Sequence, residues 1–489
     1  MSLSDKINSV LLKFGAKPIQ LSNKDLNGDE IIAFSKLLAD DEDQRLFLRE
    51  VLQIFKEHYT QEHVEVGIIL SQLGFIEANQ GNYMTGKHCL SDAIGIFSAF
   101  KENNTNLRLA EALTKLGVVY IFLDDHIKAK EALDKALPIV LKNWNSGDIQ
   151  AADILFSLGV AFGDLGHHSK QKQLMEQALP VIQNHFGPEH IEYAMKLASL
   201  AAAYVFLEQP ERAKELLEEA LPVVEKQFDK EGPEIAEAMA NFGVVYGALR
   251  NPDKEIELLQ KALSHFEKIF GEEHVKVSVT LTNLAFAYGS KGDHVKEKSI
   301  LEKTLNLTEK IYGSEHSEVG KILVNLGVVC GILGDLDQKK DMLHKALTIQ
   351  ENNLGPDTLE SAETLVCLAS AYRDLGDRYT EIKLLERAVA ILEKNYSSDH
   401  IQVAETKIAL GLAYGSVEDY SKQKELLNSN IPMVVEHYGP RHSLVVAVNE
   451  ALQLSKSKTT SSRSCCWVFF LERENNSLNE KLNMSTNCN

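Results

Sequence analysis

The chain has 489 residues, of which 44% are hydrophobic and 25% charged, a composition typical of an ordered, water-soluble protein. Acidic residues outnumber basic ones by 70 to 51, and the net charge of −19 disfavours nucleic acid and anionic lipid as partners. Residues 1–20 lack a secretory signal, no segment resembles a membrane-spanning helix, and the six cysteines lack disulfide or metal-binding spacing, so a cytoplasmic protein is predicted.

The N-terminal region, residues 1–62, is predicted to form helices that cover the start of a repeat array. Residues 3–14 predict a short helix, and residues 29–60 predict a degenerate helical hairpin. Tyr59 and His63 stand at positions that later repeats also fill with an aromatic residue and a histidine. Region 1–62 is therefore expected to act as an N-terminal cap.

A pattern of 42 residues occurs nine times within residues 63–441. Its fixed point, called here the anchor, is a small residue that follows a leucine in most units; the first step between anchors is 43 residues and the other seven are 42. The anchors are Gly74, Gly117, Gly159, Ala201, Gly243, Ala285, Gly327, Ala369 and Gly411. Such a period predicts stacked structural repeats, because one unit cannot bury its apolar face alone.

Each unit is predicted to contain two helices. An aromatic residue stands three positions after most anchors, a leucine or methionine sixteen after, and an alanine nineteen after in most units. Between the helices come turn signals such as Gly292-Asp293 and Gly334-Asp335. The small anchor is expected to let the paired helices approach closely, with the leucine filling the space beside it. Four second helices contain a proline that is expected to bend them, namely Pro138, Pro180, Pro222 and Pro432.

The repeats end before residues 442–457, which predict one unpaired capping helix. Residues 458–489 are rich in Ser, Thr and Asn and are predicted to be disordered. Within them, Cys465 and Cys466 precede an apolar run. Three interpretations stay open for this segment: S-acylation at the two cysteines, a short docking segment, and an incidental tail.

The order L-G-x-x-Y, followed by an alanine in the second helix, resembles the tetratricopeptide repeat. The 42-residue form, with Phe186-Gly187-Pro188-Glu189-His190 and Tyr312-Gly313-Ser314-Glu315-His316, is similar to the repeats of kinesin light chains and nephrocystin-3. This resemblance implies an all-α, right-handed α-α superhelix whose first helices line a concave groove. It covers about residues 63–453 and is weak as a guide to function.

A histidine recurs at the start of six first helices and is the most tempting candidate for chemistry. These residues are His63, His190, His274, His316, His400 and His442. Packed helices lie about 8–10 Å apart, so these side chains cannot converge on one zinc ion, and capping or packing is expected. No phosphate-binding glycine motif, HExxH or G-x-S-x-G occurs, so the sequence predicts no catalytic site, metal or cofactor.

The resemblance implies that residues flanking the anchors face the groove, and units five to seven are predicted to bind the partner. Asparagines two positions before the anchor offer hydrogen bonds to a peptide backbone or simply tolerate an exposed position. Glycines four positions after the anchor indicate tight packing between repeats or close approach of a ligand backbone. The predicted binding residues are Asn241, Asn283, Asn325, Val244, Phe286, Val328, Gly247, Gly289, Gly331 and Arg373.

The same positions indicate the kind of partner. Tetratricopeptide co-chaperones resemble one another in a Lys/Asn/Arg clamp for a carboxylate, whereas here the equivalent positions are mostly apolar or small, and Glu237, Glu363 and Glu405 add negative charge. An apolar floor with acidic edges suits a peptide or helix with hydrophobic anchors and basic flanks. Nucleic acid and integral membrane association are not expected.

The sequence therefore predicts a cytoplasmic interaction scaffold or adaptor that holds part of a partner protein. The alternative is a regulator whose superhelix changes curvature when a signalling peptide enters the groove. A kinesin light chain is less favoured, because residues 1–62 leave no room for that family's coiled coil. An enzyme is the remotest class.

Overall fold

The computed structural model of the protein describes residues 3–14, 27–36, 38, 41–100, 103–123, 125–144, 147–227, 232–396 and 400–457. Within these ranges the chain forms 22 helices and no strand, which confirms the predicted all-α class. The first three helices are α1 (Leu3–Lys13), α2 (Gly28–Ser35) and α3 (Asp41–His58). Ile7, Ile31, Phe47 and Phe55 join them to the first repeat in one buried cluster.

The nine units follow as consecutive helix pairs. The pairs are α4 (Val64–Asn79) and α5 (Tyr83–Ala99), α6 (Asn103–Phe122) and α7 (His126–Lys142), α8 (Ile149–Asp164) and α9 (His168–Phe186), α10 (Ile191–Phe206) and α11 (Pro210–Glu225), α12 (Pro233–Ala248) and α13 (Pro252–Phe270), α14 (Val275–Ser290) and α15 (His294–Tyr312), α16 (Ser317–Ile332) and α17 (Leu336–Leu354), α18 (Leu359–Asp374) and α19 (Arg378–Asn395), and α20 (Ile401–Ser416) and α21 (Tyr420–Tyr438). A last helix, α22 (Ser443–Ser457), packs on α20 and α21.

The described residues fall into two compact units. The first lies within Met1–Asn251 and Lys261–Glu272, and the second within Pro252–Gln260 and Glu273–Leu482. In the second unit, the apolar faces of repeats seven to nine form buried clusters that include Leu343, Leu365 and Leu392. Residues 458–489, with Cys465 and Cys466, lie outside the described residues.

Five of the anchor glycines pack against the second helix of their own pair, namely Gly74, Gly117, Gly159, Gly327 and Gly411. A Cβ atom placed on Gly327 would lie 2.9 Å from Cγ of Leu343, and one on Gly117 would lie 2.5 Å from Cδ2 of Leu133. Both leucines are fully buried. The expected close approach of the paired helices, with a leucine beside the anchor, is therefore confirmed.

In the eight pairs whose turn the structure describes in full, the turn holds one residue in the left-handed region. Glycine takes this position in five turns, for example Gly334 with φ +86°, where the next residue, Asp335, donates its N–H to the Cys330 carbonyl over 2.8 Å. Three turns hold a residue with a side chain there: Glu208 (φ 55°), Arg250 (φ 59°) and Glu418 (φ 65°). The predicted turn positions are confirmed.

The repeated histidines are helix N-caps. At α16, Nδ1 of His316 accepts a hydrogen bond from the Glu318 N–H over 3.3 Å, and its ring stacks on Tyr312 at 4.5 Å between centroids. The same capping bond is made by His63, His190, His274, His400 and His442. The predicted capping role is confirmed, and the described ranges contain no group of three or more residues that could hold a metal ion.

The four second-helix prolines lie inside continuous helices. The helices α7, α9, α11 and α21 continue without a break through Pro138, Pro180, Pro222 and Pro432, respectively. Each of these helices extends at least three residues past its proline. The bend that each proline is expected to introduce stays a prediction.

Candidate functional site

Part of one face of each first helix remains accessible after the repeats have packed, although some of its positions, such as Asn283 and Ser370, are buried. On α16 this face carries the partly exposed residues Glu318, Lys321, Asn325, Val328 and Ile332, whereas Val319, Ile322, Leu323, Leu326 and Val329 are buried and Val324 packs against the core. Steps of three and four residues place the accessible positions on one side of a helix. We call these positions the first-helix stripe: nine, six and two residues before the anchor, and one and five after it.

In the second unit the stripe is predominantly acidic. Across α14, α16, α18 and α20 its charged residues are the acids Glu318, Glu360, Glu363, Asp374 and Glu405 and the bases Lys276 and Lys321. Nζ of Lys321 lies 3.0 Å from Glu318 and 3.6 Å from Glu360, so one of the two bases is engaged between two of the acids. The acidic excess makes this surface attractive to a cationic ligand.

Two of these carboxyl groups differ in their pKa. Burial alone would raise the pKa of Glu318, but Lys321 and His316 hold it below its ordinary value. Burial raises the pKa of Glu405, and a hydrogen bond with Tyr438 opposes only part of that effect. Glu405 therefore lacks the cation that stabilises Glu318, and a ligand cation beside it would favour its charged form.

Apolar side chains lie between the charges. The partly buried apolar residues of the stripe in the second unit are Val279, Phe286, Val328, Ile332, Ala409 and Leu412. Val328 packs against the cluster that joins repeats seven and eight, so its outer surface is held on a rigid core. Apolar and acidic side chains thus share this face of the helices, and their use as a binding floor with acidic edges stays a prediction.

The asparagines do not form one equivalent series. Asn241 is 7% exposed and Asn283 is 2% exposed, whereas Asn325 is only partly buried. The Oδ1 atoms of Asn241 and Asn283 have no hydrogen-bond partner among the described residues. An unsatisfied buried carbonyl costs about 1–3 kcal/mol. Val244, in the first unit, is fully buried and offers no surface to a ligand.

The glycines four positions after the anchor face the second helix rather than the accessible stripe. A Cβ atom on Gly289 would lie 2.5 Å from Oε1 of Glu297, and one on Gly331 would lie 2.7 Å from Cδ of Lys339. A Cβ atom on Gly163 would likewise crowd the side chain of Gln171, and one on Gly415 would crowd that of Gln423. These glycines therefore pack inside one repeat rather than between repeats, and the close approach of a ligand backbone stays a prediction. Gly247 occupies the same position in repeat five.

Arg373 stands where these glycines stand, in repeat eight, and it too is buried, with 8% exposure. Its Nε lies 3.5 Å from Oδ1 of Asp374. Beneath it, the carboxyl group of Glu381 lies 3.0 Å from Arg378. Arg373 thus belongs to an ionic cluster at the edge of the stripe, and its contact with a partner stays a prediction.

Lys339 is the residue that sequence reasoning missed. It is fully buried in α17, and its Nζ donates to Oγ of Ser370 over 2.6 Å and to Oδ2 of Asp374 over 3.2 Å. Both acceptors lie on the stripe of the next first helix, α18. The signal was available as a column of long polar residues, twelve positions after the anchor, opposite the glycines.

In the first unit, side chains of first helices also contact one another. Nζ of Lys115 lies 2.8 Å from Glu111 and 5.7 Å from the Phe75 ring centroid. Lys196 packs over the ring of Phe156 at 4.9 Å. Lysines of these first helices thus already contact aromatic and charged side chains of the same or a neighbouring first helix. No helix in the described part of the chain is both long and apolar enough to cross a bilayer.

Comparison with known families agrees with this geometry. Tetratricopeptide repeat models match residues 192–268 and 234–310, residues 361–402, and residues 110–138. The chain contains tetratricopeptide repeats. In each matched stretch the helix pair and the anchor recur as described above, and the left-handed turn recurs within residues 192–310 and 361–402. No curated protein matches the chain.

Several solved structures are similar to these repeats at low identity. A crystal structure titled as Podosopora anserina putative kinesin light chain nearly identical TPR-like repeats has 22% identity and a TM-score of 0.38, covering 42% of this chain and 99% of that one. BtubC (BKLC) from P. vanneervenii has 18% identity and a TM-score of 0.40, covering 52% and 96%. A Rap protein complexed with Competence and Sporulation Factor has 12% identity and a TM-score of 0.42, covering 75% and 100%.

Proposed function

We propose that the protein is a non-catalytic scaffold or adaptor of the cytoplasm that binds a segment of a partner protein. The binding surface is the first-helix stripe of the second unit, on α14, α16, α18 and α20. The observation that carries the proposal is the combination on one helix face of an apolar floor with an acidic excess. The partner segment presents apolar anchors flanked by basic residues.

The apolar part of the stripe supplies anchor sites. Phe286, Val328 and Leu412 keep part of their surface accessible on repeats six, seven and nine. Burying such a side chain fully contributes about 1.5–3 kcal/mol. The core beneath Val328 holds this surface in place before the ligand arrives, which lowers the entropy cost of binding.

The acidic part of the stripe supplies selectivity for charge. Glu363 and Glu405 stand six positions before the anchor on neighbouring repeats, so they edge the floor on the same side. Lysines on a bound segment would meet them, whereas glutamates there would be repelled. Glu405, whose pKa is raised, gains most from a cation beside it.

The experiment compares two fluorescent peptides with identical apolar anchors, one flanked by lysines and the other by glutamates. Binding to the full chain is measured by fluorescence anisotropy. The lysine peptide is expected to bind at least about tenfold more tightly, a difference of about 1.4 kcal/mol, and its advantage shrinks at high salt.

Matched charge reversals test the location. Glu363→Lys with Glu405→Lys is expected to abolish the preference for the lysine peptide. Asp341→Lys with Glu425→Lys makes the same change of net charge on exposed second-helix positions and is expected to leave the affinity within about twofold. Equal losses in both variants, or equal binding of both peptides by the wild type, would contradict the proposal.

A further inference from the structure

The chain itself contains a segment with the chemistry that this surface favours. Lys456, Lys458 and Arg463 precede an apolar run, Cys465-Cys466-Trp467-Val468-Phe469-Phe470-Leu471, and Arg473 follows it. Glu472 is the one acid between residues 456 and 473. The run therefore has large apolar anchors and basic flanks.

The complementary surface lies in the same unit. The stripe of the second unit carries Glu360, Glu363 and Glu405 beside the accessible surfaces of Val328 and Leu412. The bases on this stripe are Lys276 and Lys321, and Nζ of Lys321 lies 3.0 Å from Glu318, so the acids are in excess. Charge complementarity thus points to this face as the place where the run would bind.

The linking segment is long enough. Helix α22, which precedes the run, packs on α20, and α16 packs on α18. Packed helices are separated by about 8–10 Å, which is the distance from α22 to the nearest first helix, α20. The ten residues from Ser457 to Trp467 reach at most about 33–36 Å when extended, which is more than enough for the run to meet the stripe beyond α22.

We propose that residues 463–473 are an intramolecular ligand of the first-helix stripe of the second unit. Trp467, Phe469 and Phe470 occupy the apolar floor, and Arg463 and Arg473 meet the acids. The inference rests on the proposed function, because it assigns the regulation of the same surface. A partner segment binds only by displacing the run.

The expected strength of this self-inhibition follows from the tether. A short flexible linker gives an effective concentration on the order of 1 mM. If the isolated run binds with a dissociation constant of about 0.1 mM, the occupied form exceeds the open form about tenfold, and external affinity falls by the same factor.

The first test uses Trp467 as a reporter in the full chain. The sequence has two tryptophans, so Trp144→Phe leaves Trp467 as the single fluorophore. Its emission is expected to shift to longer wavelength when Glu363→Lys and Glu405→Lys are added, or when the lysine-flanked peptide saturates the protein. Asp341→Lys with Glu425→Lys is the matched control and is expected to leave the emission unchanged.

The second test measures competition. Trp467→Ser, Phe469→Ser and Phe470→Ser are introduced together into the full chain, and affinity for the lysine-flanked peptide is measured by anisotropy. We expect about tenfold tighter binding than to the wild type. An unchanged affinity, together with Trp467 emission that ignores the groove-side charge reversals, would overturn the inference.

Other occupants give different results. Trp467 emission that depends on protein concentration would mean that a second copy of the chain supplies the run. Trp467 emission that responds to Val446→Asp would mean that the run docks on the outer surface of α22, where Val446 is 45% exposed. Either result overturns the intramolecular form. If the peptide binds wild type and tail variant equally but the charge reversals abolish binding, the proposed function stands and this inference falls. If Trp467 emission responds to the charge reversals but the lysine-flanked peptide never binds, this inference stands and the proposed function falls.

Discussion

Gly331 and Lys339 can coexist only because one of them has no side chain. A Cβ atom on Gly331 would lie 2.7 Å from Cδ of Lys339, which is fully buried and held by Ser370 and Asp374. In repeats two and four, Ala129 and Ala213 take the place of the long polar residue. There the position equivalent to Gly331 is filled by a larger side chain.

Gly331→Ala is therefore expected to destabilise the protein by about 1–3 kcal/mol, because overpacking outweighs the gain of about 1 kcal/mol in helix propensity. Combining it with Lys339→Ala should recover most of that loss, giving a coupling of about 1–3 kcal/mol in a double-mutant cycle measured by urea unfolding. Lys340→Ala, at the adjacent, partly buried position, is the control and should add to Gly331→Ala without coupling. Additivity in both cycles would disprove the steric interpretation.

The His316 cap predicts a dependence of stability on pH. Burial lowers the pKa of His316; Lys321 adds to this lowering and Glu318 opposes it. The imidazole of His316 therefore binds more protons in the unfolded chain than in the folded one at pH values just below 6.5. Its stabilising contribution is complete above that pH and is lost as the pH falls through the lowered pKa. Protonation also removes the Nδ1 lone pair that accepts the Glu318 N–H.

The variant His316→Thr isolates this effect, since Thr358 caps α18 at the equivalent position. Its melting temperature at pH 7.5 is expected to be close to or slightly below that of the wild type. Between pH 7.5 and 5.5 the wild type should lose more stability than the variant. Parallel melting curves for the two proteins at both pH values would refute the assignment.

The three left-handed residues with side chains are sites where glycine should stabilise. Arg250→Gly and Glu418→Gly relieve a conformation that costs a residue with a side chain about 1–2 kcal/mol, against an entropy cost of about 0.5–1 kcal/mol for glycine. A net gain of up to about 1 kcal/mol per site is expected in urea unfolding. Gly334→Ala, at the same turn position with φ +86°, should lose about 1 kcal/mol. A loss of stability in Arg250→Gly and Glu418→Gly, as in Gly334→Ala, would contradict the expectation.

The two asparagines of neighbouring repeats should respond differently to a charge. Asn283→Asp places a carboxylate at a site that is 2% exposed, and it is expected to cost about 3–5 kcal/mol of stability at pH 7. Asn325→Asp lies on the accessible stripe one turn after Lys321, and its effect should stay within about 1 kcal/mol. Circular dichroism melts of the two variants measure the difference, and similar losses would show that the burial of these residues does not differ.

The features that could be predicted are those encoded at a fixed position in every repeat. The anchor with its leucine, the left-handed turn and the histidine cap each depend on residues within one unit, so one aligned column reveals them. The purpose of Gly289 and Gly331 needed two columns together, because Glu297 and Lys339 come from the other helix. The burial of Asn283 depends on neighbouring side chains in space, to which spacing along the chain gives no access.

The histidine cap, the turn and the glycine–lysine pair are each completed inside a single 42-residue unit, while Lys339 reaches only the next first helix. A recombination event that duplicates or deletes one unit would therefore leave every such local bond intact in the others. What it would alter is how many stripe positions the protein displays. Descendants of one gene could in this way come to hold partner segments of different lengths without redesigning any repeat.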